Sequence, residues 1–155
     1  MDVDRLVVID IHTGLGRFGD DRLLAEASPN EVFSAVKRAF GDRVQSLDVN
    51  RGVAFQVRGG QHTMYSRLLG NGSAYFAGQE FGTYNSLVVL AALRAENRWH
   101  HYGGGSLDHP SKRKLRDAFG PDNERWRKTV LQRGSEVISQ ATALAFEDGD
   151  VRRAP

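Results

Sequence analysis

Leu6-Val7-Val8-Ile9-Asp10-Ile11-His12-Thr13-Gly14-Leu15-Gly16-Arg17-Phe18-Gly19 is the stretch whose reading decides the fold. Four apolar residues in a row, three of them β-branched, fit a strand buried on both faces, as in the sheets of α/β proteins. Asp10 and His12 then interrupt the run two positions apart, and the period of two in a strand puts them on one face. They stand at its carboxyl end, next to a glycine-rich loop, where α/β sheets gather their chemistry.

Working outward, Ser28-Pro29-Asn30-Glu31 reads as a helix start, with Ser28 as cap, Pro29 in the first helical position and Glu31 closing a capping box. Val32, Phe33, Val36, Ala39 and Phe40 follow on one helical face up to Gly41. Between loop and helix, Asp21 to Ala27 is expected to form a short helical turn. From Arg43 to Gly59 the period shortens towards two, with a turn at Asn50-Arg51-Gly52, so one or two strands are expected. Gly59 to Gly72, carrying His62 and Arg67, reads as a polar connection.

Ser73 to Phe81 is a further strand, ending in the carboxylate of Glu80. A helix from Tyr84 to Tyr102 is expected to turn Leu87, Val88, Leu90, Ala91 and Leu93 inward and to stop at Gly103-Gly104-Gly105. His100 and His101 fall in its last turn, where they suit the negative end of the helix dipole. Pro110 to Phe119 reads as a short basic helix. Asp122 is expected to cap a long helix whose stripe is Trp126, Val130, Leu131, Val137, Ile138, Ala141, Leu144 and Ala145. The fold class is therefore α/β, an open, mostly parallel or mixed sheet flanked by helices. A single domain over 1–146 with a frayed polar tail over 147–155 is expected.

Composition narrows the function. With 155 residues the chain can bury one sizeable core. The absence of cysteine removes thiolate metal sites, thiol nucleophiles and disulfides. A net charge of +2 gives no case for a nucleic-acid partner, and the cluster Lys112, Arg113, Lys114 and Arg116 lacks interleaved aromatics, so it reads as a solvated helix face. Neither a membrane span nor a signal peptide is visible, and a cytoplasmic location is expected.

Three readings compete for the opening stretch. Gly14 to Gly19 matches G-x-G-x-x-G literally, but a dinucleotide fingerprint needs a long helix at the third glycine and an acid about twenty residues on. A metal site is the second reading, with the His12 imidazole as ligand, the Asp10 carboxylate on its other N–H, and Glu80 as general base. The third makes Asp10 and His12 a satisfied polar pair and Glu80 the cap of the helix starting near Tyr84.

Asp10 to Gly19, with E-F-G-T at Glu80 to Thr83, A-L-R-A-E-N at Ala92 to Asn97 and A-F-G-P-D before Trp126, resembles the carboxy-terminal half of zinc carboxypeptidase-like proteins. The nearest group is a bacterial one of largely unassigned function that shares the D-x-H-T-G-L-G and E-F-G-T signatures. By that resemblance His12 is the last of three protein ligands to a catalytic zinc, Asp10 its hydrogen-bonding partner, and Glu80 the general base in metal-assisted hydrolysis of an amide bond.

The same resemblance implies two further ligands in an upstream H-x-x-E motif. None of the five histidines here is followed by glutamate at the third position. The expectation is therefore a chain inactive alone, with an upstream fragment or partner chain supplying the missing zinc ligands. The alternative is a non-catalytic binding module derived from that fold, whose uncovered sheet edge is closed by a homodimer.

Overall fold

The structure, a computed structural model, describes residues 3–27, 29–47, 60–69 and 72–147, with His62, Thr63 and Ser66 placed by their backbone only. In chain order the elements are strands β1 (Arg5–Thr13) and β2 (Asp21–Ala25), helix α1 (Asn30–Phe40), a 3₁₀ turn (Gly41–Arg43) and strand β3 (Val44–Ser46). Helix α2 (Gln61–Leu68), strand β4 (Ser73–Phe81) and helices α3 (Ser86–Tyr102), α4 (Pro110–Phe119) and α5 (Glu124–Phe146) follow.

The sheet is mixed, with strand order β1-β4-β2-β3. Ser73 N–H bonds Asp4 O near the start of β1 and β4, and Gly14 N–H bonds Phe81 O at their ends, so these two strands run parallel. Gly82 N–H reaches Asp20 O, which sets the start of β2 beside the end of β4 and makes that pair antiparallel. The expected α/β class with an open mixed sheet is the one observed. The chain divides into two compact units, one of residues 1–10, 24–77 and 135–155, the other of residues 11–23 and 78–134.

In the first unit Val36 and Phe40 of the expected α1 face are buried while Val32, Phe33 and Ala39 are half-buried, Ala35 is buried in addition, and Gly41 ends the helix at φ 73°. Pro29 stands in the cap position with an extended backbone, one residue before the expected place. The capping box on Ser28, the turn at Asn50-Arg51-Gly52, the strand beyond Leu47 and the tail beyond Glu147 lie outside the described residues. The polar connection expected over Gly59–Gly72 contains α2 instead. Gln61, Met64, Arg67 and Leu68 are good helix formers, but their thin apolar content left no stripe to read. Arg5 Nη1 donates to the carbonyls of Leu144 at 2.9 Å and Glu147 at 2.6 Å, satisfying the orphan carbonyls at the end of α5.

β2 replaces the expected helical turn. Asp-Arg-Leu-Leu-Ala has ordinary helix formers, yet Leu23 and Ala25 are buried at a spacing of two and the segment lies between β4 and β3, so sheet pairing overrides local propensity. β1 is correctly read as a strand but is not buried on both faces. It is an edge strand of the sheet, and its residues are half-buried or exposed.

In the second unit α3 packs against α4, and its buried residues are Val89 and Ala92. This corrects the expected inward set: Leu87, Val88, Leu90 and Leu93 are exposed at 72%, 52%, 51% and 42%. The first two turns of α3 are apolar all round, so periodicity could not say which face packs. α4 has the predicted bounds. For α5 the cap is Asn123, whose Oδ1 accepts from Trp126 N–H at 3.0 Å, while Asp122 pairs with Arg127 Nη1 at 2.6 Å. Trp126, Val137 and Leu144 are its buried stripe, and Leu131 and Ile138 fall outside it. No described helix is long and apolar enough to cross a membrane.

Candidate functional site

Glu80 and the glycine loop meet in the second unit. β4 alternates strictly, with Gln79 and Phe81 fully buried, so Glu80 faces the opposite, half-buried side. Its Oε1 accepts the backbone N–H of Leu15 at 3.1 Å. Glu80 does not cap α3: that role belongs to Asn85, whose side chain accepts from Leu87 N–H at 2.9 Å. The alternative in which Glu80 is a helix cap is thereby overturned.

The two signature segments are interlocked. Gly14 N–H donates to Phe81 O, Gly19 N–H to Gly82 O, and Thr83 Oγ1 to Gly14 O at 3.3 Å. Trp126 Nε1–H donates to Gly82 O at 2.9 Å from α5. Gly82 has to be glycine, since a Cβ there would lie 2.0 Å from the carbonyl oxygen of Arg17. Gly14, at φ 129°, is excluded from carrying a side chain by its backbone and by the Phe119 ring, 2.6 Å from where its Cβ would stand. Close packing therefore excludes a side chain at Gly14, whereas Gly16 and Gly19 meet only ordinary contacts and are glycine for their φ of 114° and 78°; the loop leads into β2. The helix that a dinucleotide fingerprint requires after its third glycine is not there.

Burial is the largest influence on the Glu80 carboxyl and raises its pKa above the ordinary 4.5. The Leu15 N–H and the charge of His12 pull in the other direction. His12, exposed at the carboxyl end of β1, is therefore within electrostatic reach of Glu80, and the structure brings these two predicted residues together. Asp10 lies two residues before His12 on the same strand. Phe18 and Tyr84 flank the loop with ring centroids 6.1 Å apart, and Tyr84 Oη bonds Asp117 Oδ2 at 3.1 Å.

A carboxyl held above its normal pKa beside an imidazole can take a proton from water and return it to a leaving group. Among the described residues no three or more His, Asp or Glu side chains group as a metal site. Sequence reasoning missed Leu15, Thr83 and Trp126. Leu15 acts through its backbone and carries no residue-type signal, whereas Thr83 and Trp126 show only the mild signal of polar groups in buried positions.

The family model for DUF2817, a protein of unknown function, matches residues 1–133. Comparison with curated proteins and with solved structures gives no match.

Proposed function

We propose that this chain, which belongs to the DUF2817 family, is the carboxy-terminal portion of a zinc carboxypeptidase-like amide hydrolase, with Glu80 as its general base. The observation that carries the reading is the Glu80 carboxyl, raised in pKa by burial, fixed on the Leu15 N–H and near His12. Glu80 takes the proton of the attacking water and passes it to the leaving amine. The Leu15 N–H holds the Glu80 side chain in one rotamer without neutralising it.

His12 supplies one metal-ligating side chain, and the residues present do not complete a set. The remaining ligands come from outside these 155 residues, in a preceding segment or a second chain. Two results test this together. In-phase H-x-x-E codons immediately upstream of Met1, or hydrolysis of N-acylated amino acids or short peptides that falls at least about 100-fold in Glu80→Gln, support it. Absence of such codons contradicts a preceding segment as the source, and hydrolysis that persists in Glu80→Gln contradicts the role of Glu80.

A further inference from the structure

The connection between α3 and α4 is closed over Trp99 by a histidine. The side chain of His109 occupies the cap position of α4: its Nδ1 accepts the backbone N–H of Ser111 at 3.3 Å and lies 2.8 Å from Ser111 Oγ. The Ser111 N–H can donate only to an Nδ1 that carries no proton, so this cap needs the tautomer with its hydrogen on Nε2. The ring stacks on Trp99, with centroids 3.6 Å apart and planes 7° from parallel. Trp99 Nε1–H donates to Ser106 O at 3.3 Å, and Gly103 lies so close to the indole that a Cβ would sit 2.2 Å from it.

We propose that His109 is a proton-operated cap: neutral, it fastens the segment 103–109 over Trp99 and starts α4; protonated at Nδ1, it releases both. Protonation turns the acceptor into a donor, orphans the Ser111 N–H and sets a cation at the positive end of a helix. The charged groups around it are divided. Asp108 and the π face of Trp99 favour the imidazolium. Lys112, paired with Glu96 at 2.6 Å, and Arg113, bonded to the Asp108 carbonyl, oppose it. The hydrogen bond from Lys112, and after it the charges of His100 and His101, hold the Glu96 carboxyl below its ordinary 4.5. α4 also carries Phe119 against Gly14 and Asp117 on Tyr84, so the capped helix is a strut beneath the glycine loop. This device is independent of the hydrolytic reading.

The test is NMR of the full chain from about pH 8 to pH 5, the range in which histidines ordinarily change charge. It follows the His109 ring, the Trp99 indole N–H and hydrogen exchange at the Ser111 amide. Both reporters are expected to move with the ring, Ser111 losing protection on the order of fivefold, the weight of an ordinary cap. In His109→Asn, a cap that does not titrate, the Ser111 amide stays protected throughout, and the Trp99 indole N–H, which has lost the stacked ring, no longer responds to pH. A ring that titrates while both reporters stand still, or an Asn variant with the wild-type pH dependence, overturns the proposal. The wild-type titration decides by itself should the variant not fold.

Discussion

The backbone N–H of Leu15 donates to Glu80 Oε1 at 3.1 Å, which ties the loop after His12 to the end of β4 through the one carboxylate expected to act as base. Gly82 and Thr83, the residues that follow Phe81 at the end of that strand, lock onto the same loop.

Glu80 has a folded-state pKa above its ordinary 4.5, chiefly through burial. For a carboxyl the sign is then fixed: folding favours the protonated form, so its contribution is present in acid and is lost as pH rises through the raised value. Glu80→Gln keeps an acceptor for Leu15 and removes the buried charge. It is expected to raise stability near pH 7 and to lose that advantage below about pH 4. Denaturant unfolding at the two pH values checks this.

Trp126→Phe removes the N–H that reaches Gly82 O while keeping most of the apolar bulk. Gly82 O still accepts from Gly19, so no carbonyl is orphaned, and a loss of about 1–2 kcal/mol is expected. Urea midpoints measure it.

Two glycines should answer oppositely to alanine. Gly82→Ala meets the Arg17 carbonyl at 2.0 Å, a clash with backbone, and is expected to cost more than about 3 kcal/mol or to prevent folding. Gly134→Ala meets nothing within 4 Å in the middle of α5 and is expected to gain about 0.5–1 kcal/mol. Thermal melts of the pair suffice.

Leu87 and Leu90 lie exposed on α3, so replacing either by lysine is expected to change stability by less than about 0.5 kcal/mol. A loss of 2 kcal/mol or more, on the scale of about 2–5 kcal/mol for emptying a packed leucine site, would mean that this face is covered.

The sequence made β1, β4, α1, α4 and α5 legible because each carries a long apolar pattern or clear punctuation. β2 was not legible, since Asp21-Arg22-Leu23-Leu24-Ala25 is strand only by virtue of its neighbours in the sheet. α2 has too little apolar surface to show a stripe. Of the site, His12 and Glu80 were readable as polar groups ending apolar strands. The bond from Leu15 was not, because a backbone N–H leaves no mark on residue type. The glycine loop matched a nucleotide pattern by letters alone; what its glycines answer to is positive φ and, at Gly14, the Phe119 ring.

The central claim is that His12 is a metal-ligating residue beside the base Glu80. Zinc titration of the full chain, followed through its histidine ring resonances, tests it most directly. The account predicts that His12 responds first, ahead of His100, His101 and His109, and that His12→Ala abolishes this first response. Zinc that perturbs the other histidines while leaving the His12 ring unmoved would contradict it.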